Sequence, residues 1–287
     1  MRLAFTNRGI LKKLSIITIC YNEPELEETC RSVVNQSWQD FEWIVVDGGS
    51  NKETQEIWEK YKSRIDKFIS EPDTGRYNAM NKGIKLAQGE YLNFLNAGDS
   101  YFYNDALKDI FEGKNYSEGV LYGNESFVKK FELFDVLNVM PEKVDKQFFY
   151  MATIRHQAAF IRKELFDSFG LYDEENQVVS DYAKWLEFLE KGVEFRNLPY
   201  IVTKFNLDGI SVKRKTKKIA LSERERIINK FYSKEEIADL KDKCKKYTKT
   251  SYSLLENIFS IKDTNDGTRR VVTILGLHLK IRKGKKK

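Results

Sequence analysis

Long apolar runs are absent from this 287-residue sequence, and their absence excludes a class of architectures. No apolar stretch approaches the roughly 20 residues that a membrane-spanning helix requires. The N-terminus is basic, but the first apolar run, LSIITIC at residues 14–20, is short. Its β-branched pattern predicts a strand rather than a signal-peptide core. We therefore expect a soluble protein without a spanning helix.

Histidine and cysteine are both scarce. His156 and His278 are the only histidines. The three cysteines, Cys20, Cys30 and Cys244, are odd in number and lack the spacing of a metal site. They therefore predict no disulfide framework and indicate a reducing, cytoplasmic compartment.

Charge is distributed unevenly along the chain. Residues 1–211 hold 26 lysines and arginines against 34 acidic residues, whereas residues 212–287 hold 23 against 9. The net charge thus changes from −8 to +14 near Gly209. On this basis we predict a main domain at 1–211 and a basic region at 212–287. With 41% hydrophobic and 13% aromatic residues, the sequence supports one sizeable core plus an appendage.

The basic C-terminal region shows a helical spacing of apolar residues, which predicts helices over 219–232, 234–247 and 252–259. It ends in an apolar stretch, 271–279, and six cations among the last eight residues. Basic residues attract an anionic membrane by about 1 kcal/mol each, so this tail predicts peripheral attachment to a membrane surface. The alternative is that the basic tail binds the phosphates of a nucleic acid, but the sequence has no base-reading motif. A solvated tail is the third interpretation.

The most informative segment is LNFLNAGD, at residues 92–99. Three apolar side chains lead into a tight polar turn that ends in one carboxylate, Asp99, a pattern typical of a buried strand and its loop. In open α/β sheets, ligands bind beyond the carboxyl ends of such strands. Mg²⁺ and Mn²⁺ prefer oxygen ligands and often share them with a diphosphate, so Asp99 is a candidate metal ligand. An ordinary turn is the alternative, because Asn, Gly and Asp are common turn formers.

Two further strand–turn segments lie upstream. Residues 14–20 precede Tyr21, and residues 41–46, which read FEWIVV, precede Asp47. Helical spacing between the two segments predicts a strand–helix–strand unit, which requires a parallel sheet. Asp47 then ends a strand, where its carboxylate can accept from a base N–H or a ribose hydroxyl. No G-x-G-x-x-G follows the first strand, so a dinucleotide-binding Rossmann site is not predicted.

Four segments of the sequence resemble inverting nucleotide-sugar glycosyltransferases of family 2. They occur in the family's order and read ITICYNE, VVDGGS, EPDTGRYNAMNKGIKLAQGEYLNFLNAGD and HQAAFIRKELFDSFGLYDEENQVVSDY. The resemblance covers about residues 14–211. It implies the α/β GT-A fold, which is Rossmann-like, with a mostly parallel central sheet flanked by helices, here followed by a small helical, basic extension. It also implies nucleotide-sugar binding at about 14–100 and an acceptor-binding and catalytic part at about 101–211.

The resemblance implies a nucleotide site as well. In the family, the end of the first strand lines the uridine pocket, and the aspartate after the second strand binds the uracil ring. A segment equivalent to residues 76–82 faces the nucleotide and its phosphates. The nucleotide-binding residues implied in this way are Thr18, Tyr21, Glu23, Asp47, Arg76, Lys82 and Asn96.

The family's metal motif has several aspartates, but this sequence has Asn96 and Gly98 where two of them commonly stand. Only Asp99 is kept, so the resemblance implies a divalent metal, Mn²⁺ or Mg²⁺, held by fewer charges. Asp181, in SDY, falls where inverting members keep their catalytic base. Inverting transfer requires one carboxylate to take the proton of the acceptor hydroxyl, while cations offset the charge of the leaving diphosphate.

Each of these roles has a structural alternative. Asp181 could cap a helix that the pattern predicts over 182–189. His156 could contact the diphosphate, the metal or the acceptor, or could be a buried, hydrogen-bonded histidine. Trp185 lies one turn after Asp181 and could stack on a sugar, but a core position is favoured.

The sequence therefore predicts an inverting glycosyltransferase of the hexosyl- or N-acetylhexosaminyl-transferase class, with a UDP-sugar as donor. The predicted acceptor is a hydroxyl of a surface glycan or a lipid-linked glycan in polysaccharide biosynthesis, and the predicted location is the cytoplasm or the inner membrane face. No nucleic-acid partner is expected. A nucleotidylyltransferase is a rival, but CYNEPELE is acidic where that class needs a basic, Gly-rich loop. The other rival is a catalytically silent, membrane-associated subunit, which the altered NAGD motif favours.

Overall fold

The chain is described by a computed structural model that covers residues 12–128, 136–206 and 214–244 and the backbone of three strands between 259 and 282. It divides into two compact units, Met1–Ile228 and Asn229–Lys287. The first unit contains the segments that predicted a ligand site, and it is described first.

One sheet of nine strands forms the centre of the first unit. The strands are β1 (Leu14–Cys20), β2 (Phe41–Asp47), β3 (Lys67–Ser70), β4 (Tyr91–Phe94), β5 (Ser100–Tyr101), β6 (Val120–Val128), β7 (Val136–Asn138), β8 (Ala159–Arg162) and β9 (Phe195–Asn206). The helices are α1 (Leu26–Val34), α2 (Lys52–Tyr61), α3 (Arg76–Leu86), α4 (Ala106–Phe111), α5 (Lys146–Met151), α6 (Lys163–Phe169), α7 (Ser180–Glu190) and α8 (Arg214–Phe231). Single 3₁₀ turns cover Lys62–Arg64 and His156–Ala158.

The first four strands of the chain are parallel. The order across the sheet is β3-β2-β1-β4-β8-β6-β9-β5, with β7 paired to β6. β1 pairs in parallel with β2 and with β4, and β2 pairs in parallel with β3. The predicted strand–helix–strand unit is confirmed as β1–α1–β2. Because β1, β2 and β4 run in one direction, the polar turns that follow them meet at one edge of the sheet.

β1 and β2 are buried almost throughout. Continuous apolar strands of this kind are typical of parallel sheets covered by helices on both faces. α3 packs so closely on β1 that a Cβ at Gly83 would lie 2.4 Å from Cγ2 of Ile17. This close contact fixes α3 against the sheet and so places its first residue, Arg76, beside the ends of the strands.

The C-terminal part agrees with the first two predicted helices, because α8 covers the first and residues 234–244 are helical. The tail differs from the helical expectation. β10 (Phe259–Asp263), β11 (Arg269–Ile274) and β12 (Leu277–Arg282) form an antiparallel three-stranded sheet. The β-branched run at 271–274 accounts for the central strand. The third expected helix, 252–259, lies outside the described residues apart from Phe259, which begins β10.

The division between the two units falls after Ile228, whereas charge predicted it after residue 211. Most of α8 therefore belongs to the first unit. None of the three cysteines is in a disulfide. Within the described ranges, no helix combines the length and hydropathy needed to cross a bilayer.

Candidate active site

A cavity of about 320 Å³ opens where β1 and β4 end and α3 begins. Its wall combines segments that are distant in sequence. The lining residues are Ile19, Cys20, Tyr21, Glu23, Asp73, Gly75, Arg76, Ala79, Asn96, Ala97, Gly98, Asp99 and Phe205. Five of the predicted site residues thus share one cavity, namely Tyr21, Glu23, Arg76, Asn96 and Asp99.

The cavity wall is acidic on balance. It carries three carboxylates, Glu23, Asp73 and Asp99, and Arg76 is the only lysine or arginine among its described lining residues. Gly75 and Arg76 also form the start of α3, where the helix dipole favours anions. Arg76 and this helix terminus are therefore the protein groups best suited to offset a diphosphate charge.

Asp47 ends β2 but does not line the cavity. Its side chain is fully buried, and Oδ2 accepts from Gly49 N (3.2 Å), Ser50 N (3.0 Å), Gln55 Nε2 (2.7 Å) and Ser70 Oγ (2.7 Å). Burial alone would raise the pKa of Asp47, but these hydrogen bonds outweigh it and hold the pKa below its usual value. Asp47 therefore fixes the turn after β2 as an anion, and its Oδ1 is buried without a hydrogen-bond partner among the described residues.

Asp73 takes up the space beside Gly48. A Cβ at Gly48 would lie 2.7 Å from Asp73 Oδ2 and 3.3 Å from Tyr21 Cδ2. Asp73 Oδ1 accepts from Gly75 N at 3.0 Å, which holds the carboxylate in place. Tyr21, whose side chain is exposed, thus adjoins a carboxylate at one end of the cavity. An aromatic face beside an acceptor suits a planar base that carries an N–H donor.

The NAGD turn, residues 96–99, follows β4 and also lines the cavity. Gly98 adopts φ +97°, a conformation that favours glycine, and Asp99 N donates to Asn96 O at 3.0 Å. Asp99 is 8% exposed, and its Oδ2 accepts from Gln157 Nε2 at 3.4 Å. Across the residues that the structure describes, no three His, Cys, Asp or Glu side chains group as a metal site would. A metal at Asp99 would therefore take most of its ligands from a bound diphosphate and water.

A chain of hydrogen bonds leads from the cavity wall to Asp181. Asn96 Nδ2 lies 2.9 Å from His156 Nε2, and His156 Nδ1 lies 3.0 Å from Asp181 Oδ2. Tyr77 Oη and Tyr182 N each donate to Asp181 Oδ1 at 2.9 Å. His156 and Asp181 do not line the cavity themselves. Their side chains keep 12% and 14% exposure, so both remain in reach of solvent.

Asp181 is held as an anion. Burial would raise its pKa, but the hydrogen bonds from His156, Tyr77 and the backbone of Tyr182 outweigh burial and lower the pKa below its usual value. Asp181 is also in the first turn of α7, where a helix N-terminus favours negative charge. An ionised carboxylate that is fixed by three donors has the charge state that a general base requires.

Three other residues singled out from the sequence lie away from the cavity. Thr18 is fully buried in β1, where its Oγ1 accepts from Trp43 Nε1 at 3.0 Å. Lys82 pairs with Glu71 at 2.7 Å. Trp185 is fully buried, which confirms the favoured core position.

Sequence reasoning did not single out three residues of this region: Asp73 and Phe205 in the cavity wall, and Tyr77 at Asp181. Asp73 and Tyr77 lie within EPDTGRYNAMNKG, so their residue types were visible there. Phe205 carried no local signal, because its place depends on how β9 joins the sheet.

A second cavity, of about 480 Å³, shares Gly75 and Arg76 with the first. It lies between residues 74–78 and the loop 174–177, which precedes α7. Glu174 accepts from Asn78 in this region. Its polar wall can hydrogen-bond hydroxyl groups close to the segment that carries Asp181.

Comparison with known proteins finds a family model that matches part of the first unit. The family model described as glycosyl transferase family 2 matches residues 15–123. A glycosyltransferase of PGL/p-HBAD biosynthesis from Mycobacterium tuberculosis is 32% identical over 160 residues, which are 53% of this chain and 59% of that protein. The chain thus spans less than two thirds of this relative's length. An uncharacterised glycosyltransferase of Methanocaldococcus jannaschii is 26% identical over 68% of this chain and 70% of its own length.

Solved structures share the fold. TarS 1–349 from S. aureus, in complex with UDP, aligns with a TM-score of 0.55 and 20% identity over 76% of this chain and 70% of that chain. A mannosyltransferase from Pyrobaculum calidifontis, in complex with GDP-Man and Mn²⁺, gives a TM-score of 0.52 and 18% identity over 67% of this chain and 56% of its own. The expected GT-A fold is confirmed by these likenesses.

Proposed function

We propose that this chain, in which residues 15–123 form a glycosyltransferase family 2 domain, is an inverting glycosyltransferase that uses a UDP-sugar. One observation carries the proposal: a cavity at the carboxyl ends of parallel strands is joined by Asn96 and His156 to the ionised carboxylate of Asp181. The cavity offers groups for a nucleotide diphosphate, and Asp181 offers a base for the acceptor.

The nucleotide base binds at the end of the cavity formed by Tyr21 and Asp73. The base stacks on the ring of Tyr21, and a carboxylate accepts the N3–H of uracil. Asp73 is the carboxylate at the wall, while Asp47 holds the turn beneath it and offers the buried Oδ1. The UDP bound to TarS, a protein of the same fold, supports a uridine donor here.

The diphosphate binds between Arg76 and Asp99. A divalent ion fits this place because Asp99 and the buried Oδ1 of Asn96, which has no hydrogen-bond partner in the described protein, are hard oxygen donors. When bound, the ion would offset the charge of the leaving diphosphate. Arg76 and the N-terminus of α3 do the same from the protein side.

Transfer then requires one proton acceptor. As the acceptor oxygen attacks the anomeric carbon, Asp181 takes its proton, the new C–O bond forms and the bond to the diphosphate breaks. The nucleoside diphosphate leaves from the opposite face of the sugar, so the anomeric configuration inverts. His156 and Tyr77 keep the carboxylate oriented throughout.

The acceptor is a hydroxyl of a surface glycan or a lipid-linked glycan, bound near the polar cavity between residues 74–78 and 174–177. We further propose that the basic tail holds the enzyme at an anionic membrane. The sequence supports this, since six of the last eight residues are lysine or arginine.

A panel of nucleotide sugars tests the proposal. The intact chain is incubated with each donor, and donor hydrolysis and thermal stabilisation are measured with Asp181→Asn as the matched control. We expect both proteins to be stabilised by the same uridine donor, and only the wild type to release UDP at an appreciable rate. Stabilisation without turnover in the wild type would favour a catalytically silent subunit. That interpretation is based on Asn96 and Gly98, which stand where the family commonly has aspartates.

A further inference from the structure

Glu223 binds the loop that leads into the proposed base. This side chain of α8 is 8% exposed. Its Oε1 accepts from Gln177 N at 2.7 Å, and its Oε2 accepts from Val178 N at 3.0 Å and Val179 N at 3.2 Å. Three consecutive backbone N–H groups therefore converge on one buried carboxylate, two residues before Asp181.

Glu223 binds the backbone immediately before a helix that has no side-chain cap. The residue before the helix is Val179, and its apolar side chain cannot accept hydrogen bonds from the free N–H groups of the first turn. Glu223 places a negative charge at the same end, where it also interacts favourably with the helix dipole. Hydrogen bonds from N–H groups to a carboxylate are stronger than neutral ones, so the start of α7 is firmly held.

Two arginines of α8 extend the contact. Arg226 Nη2 donates to Asn176 Oδ1 at 2.7 Å, in the same loop. Arg224 Nη2 donates to the carbonyls of Phe149 and Ala152 at 2.7 and 3.0 Å, in the segment that leads to His156. The Arg224 guanidinium also lies 4.0 Å from the centre of the Tyr182 ring, next to Asp181.

One helix thus holds both segments that meet at the His156–Asp181 hydrogen bond. We propose that α8 is a positioning element of the active site, and that Glu223 is the positioning residue that sets the orientation of Asp181. This rests on the proposed function, because it takes Asp181 as the base. The basic C-terminal region then contributes to catalysis through its first helix, besides any role of its tail.

The test compares Glu223→Gln with Glu225→Gln, an exposed position on the same helix. An amide nitrogen cannot accept, so Glu223→Gln loses part of the three-bond contact while its shape is kept. We expect its kcat to fall at least tenfold, with the KM for the donor and the affinity for UDP within twofold of wild type. Glu225→Gln should leave all three quantities unchanged.

A double-mutant comparison separates positioning from a general loss of structure. If Glu223 acts through Asp181, Glu223→Gln should reduce the residual rate of Asp181→Asn less than twofold. An equal loss in both backgrounds would overturn the positioning role, as would wild-type kcat in Glu223→Gln. Arg226→Gln, which loses only the Asn176 contact, should give a smaller kcat defect of the same kind.

Amide hydrogen exchange provides a readout that does not depend on activity. The amides of Gln177, Val178 and Val179 should exchange at least tenfold faster in Glu223→Gln than in the wild type. Unchanged exchange would show that Glu223 does not hold these three amides. A wild-type chain that transfers no sugar would instead overturn the proposed function, which distinguishes the two failures.

Discussion

His156 Nδ1 lies 3.0 Å from Asp181 Oδ2, although the two residues are far apart in sequence and belong to different elements. The Asn96 amide nitrogen lies 2.9 Å from the other ring nitrogen, Nε2, so the imidazole is held between this amide and the carboxylate. The pair orients Asp181 and keeps it ionised, and it connects the carboxylate to the wall of the nucleotide cavity.

Replacing Asp181 tests its role as the base. Asp181→Asn keeps the shape of the side chain and removes its basicity. We expect transfer to fall by about 10²–10⁴-fold, the range for loss of a general base. UDP affinity, measured by calorimetry, should stay nearly unchanged because no proposed nucleotide contact comes from α7. Near-wild-type transfer would show that another group takes the proton, with Glu174 and Glu175 the first to examine.

The pH dependence of transfer should reveal the contribution of His156. The hydrogen bonds of Asp181 lower its pKa, so in the wild type the carboxylate stays ionised, and its contribution to kcat is constant, above about pH 5. In His156→Gln, the contact with His156 no longer opposes the effect of burial, so the pKa of Asp181 should rise. The acid limb of kcat should then move to higher pH, as measured from pH–rate profiles. Identical profiles would contradict the role of His156.

The melting temperatures of two variants should distinguish the roles of Asp73 and Asp47 in UDP binding. Asp73→Ala should weaken UDP binding by about 1–3 kcal/mol, the scale for an unpaired buried partner, without lowering the melting temperature. Asp47→Ala should weaken UDP binding by a similar amount and also lower the melting temperature, because Oδ2 accepts four hydrogen bonds that hold the turn. If only Asp47→Ala weakens binding, Asp47 is the residue that contacts uracil.

Asp99 should govern metal dependence. We expect Mn²⁺ or Mg²⁺ to support transfer by the wild type, and Asp99→Asn to need a higher metal concentration for half-maximal activity, because a charged ligand is lost. Activity is measured across metal titrations after treatment with a chelator. Full turnover in excess chelator would sink the metal hypothesis and leave Arg76 as the main partner of the diphosphate.

Removing the tail should separate membrane binding from catalysis. A chain that ends before β10 should no longer sediment with anionic vesicles but should hydrolyse donor at nearly the wild-type rate, since every proposed site residue lies upstream. Neutral vesicles serve as the control, and binding by the intact chain should weaken as salt rises. Salt-insensitive binding, or no binding by the intact chain, would count against electrostatic attachment.

Local patterns predicted the parallel part of the fold well. The apolar runs that form β1, β2 and β4 each end in a polar turn, and strand direction alone brings those turns to one edge. The long-range contacts were not predictable in this way. Thr18, predicted to contact the nucleotide, lies buried in β1, where its hydroxyl accepts from Trp43 Nε1, a contact that a single sequence cannot reveal.

In the C-terminal region, composition alone is a poor guide to domain boundaries and to secondary structure. A change in net charge placed a boundary after residue 211, but Glu223, Arg224 and Arg226 of α8 hydrogen-bond to other segments of the first unit. Charge counts cannot distinguish a cation that is solvated from one that binds carbonyl oxygens. The strands of the tail were missed because 271–279 was treated as one apolar stretch, although Leu277, Leu279 and Ile281 alternate with polar residues, as in a strand.

The side chain of Asp73 lies so close to Gly48 that the sizes of the residues at these two positions depend on each other. A side chain at position 48 would enter the space that the Asp73 carboxylate fills, so a larger residue there requires Asp73 to move or to be shorter. Related sequences should therefore covary here, with a larger residue at position 48 accompanied by a shorter one at position 73. The same acceptor group could in this way pass from one loop to the other during divergence without any change in the sheet beneath.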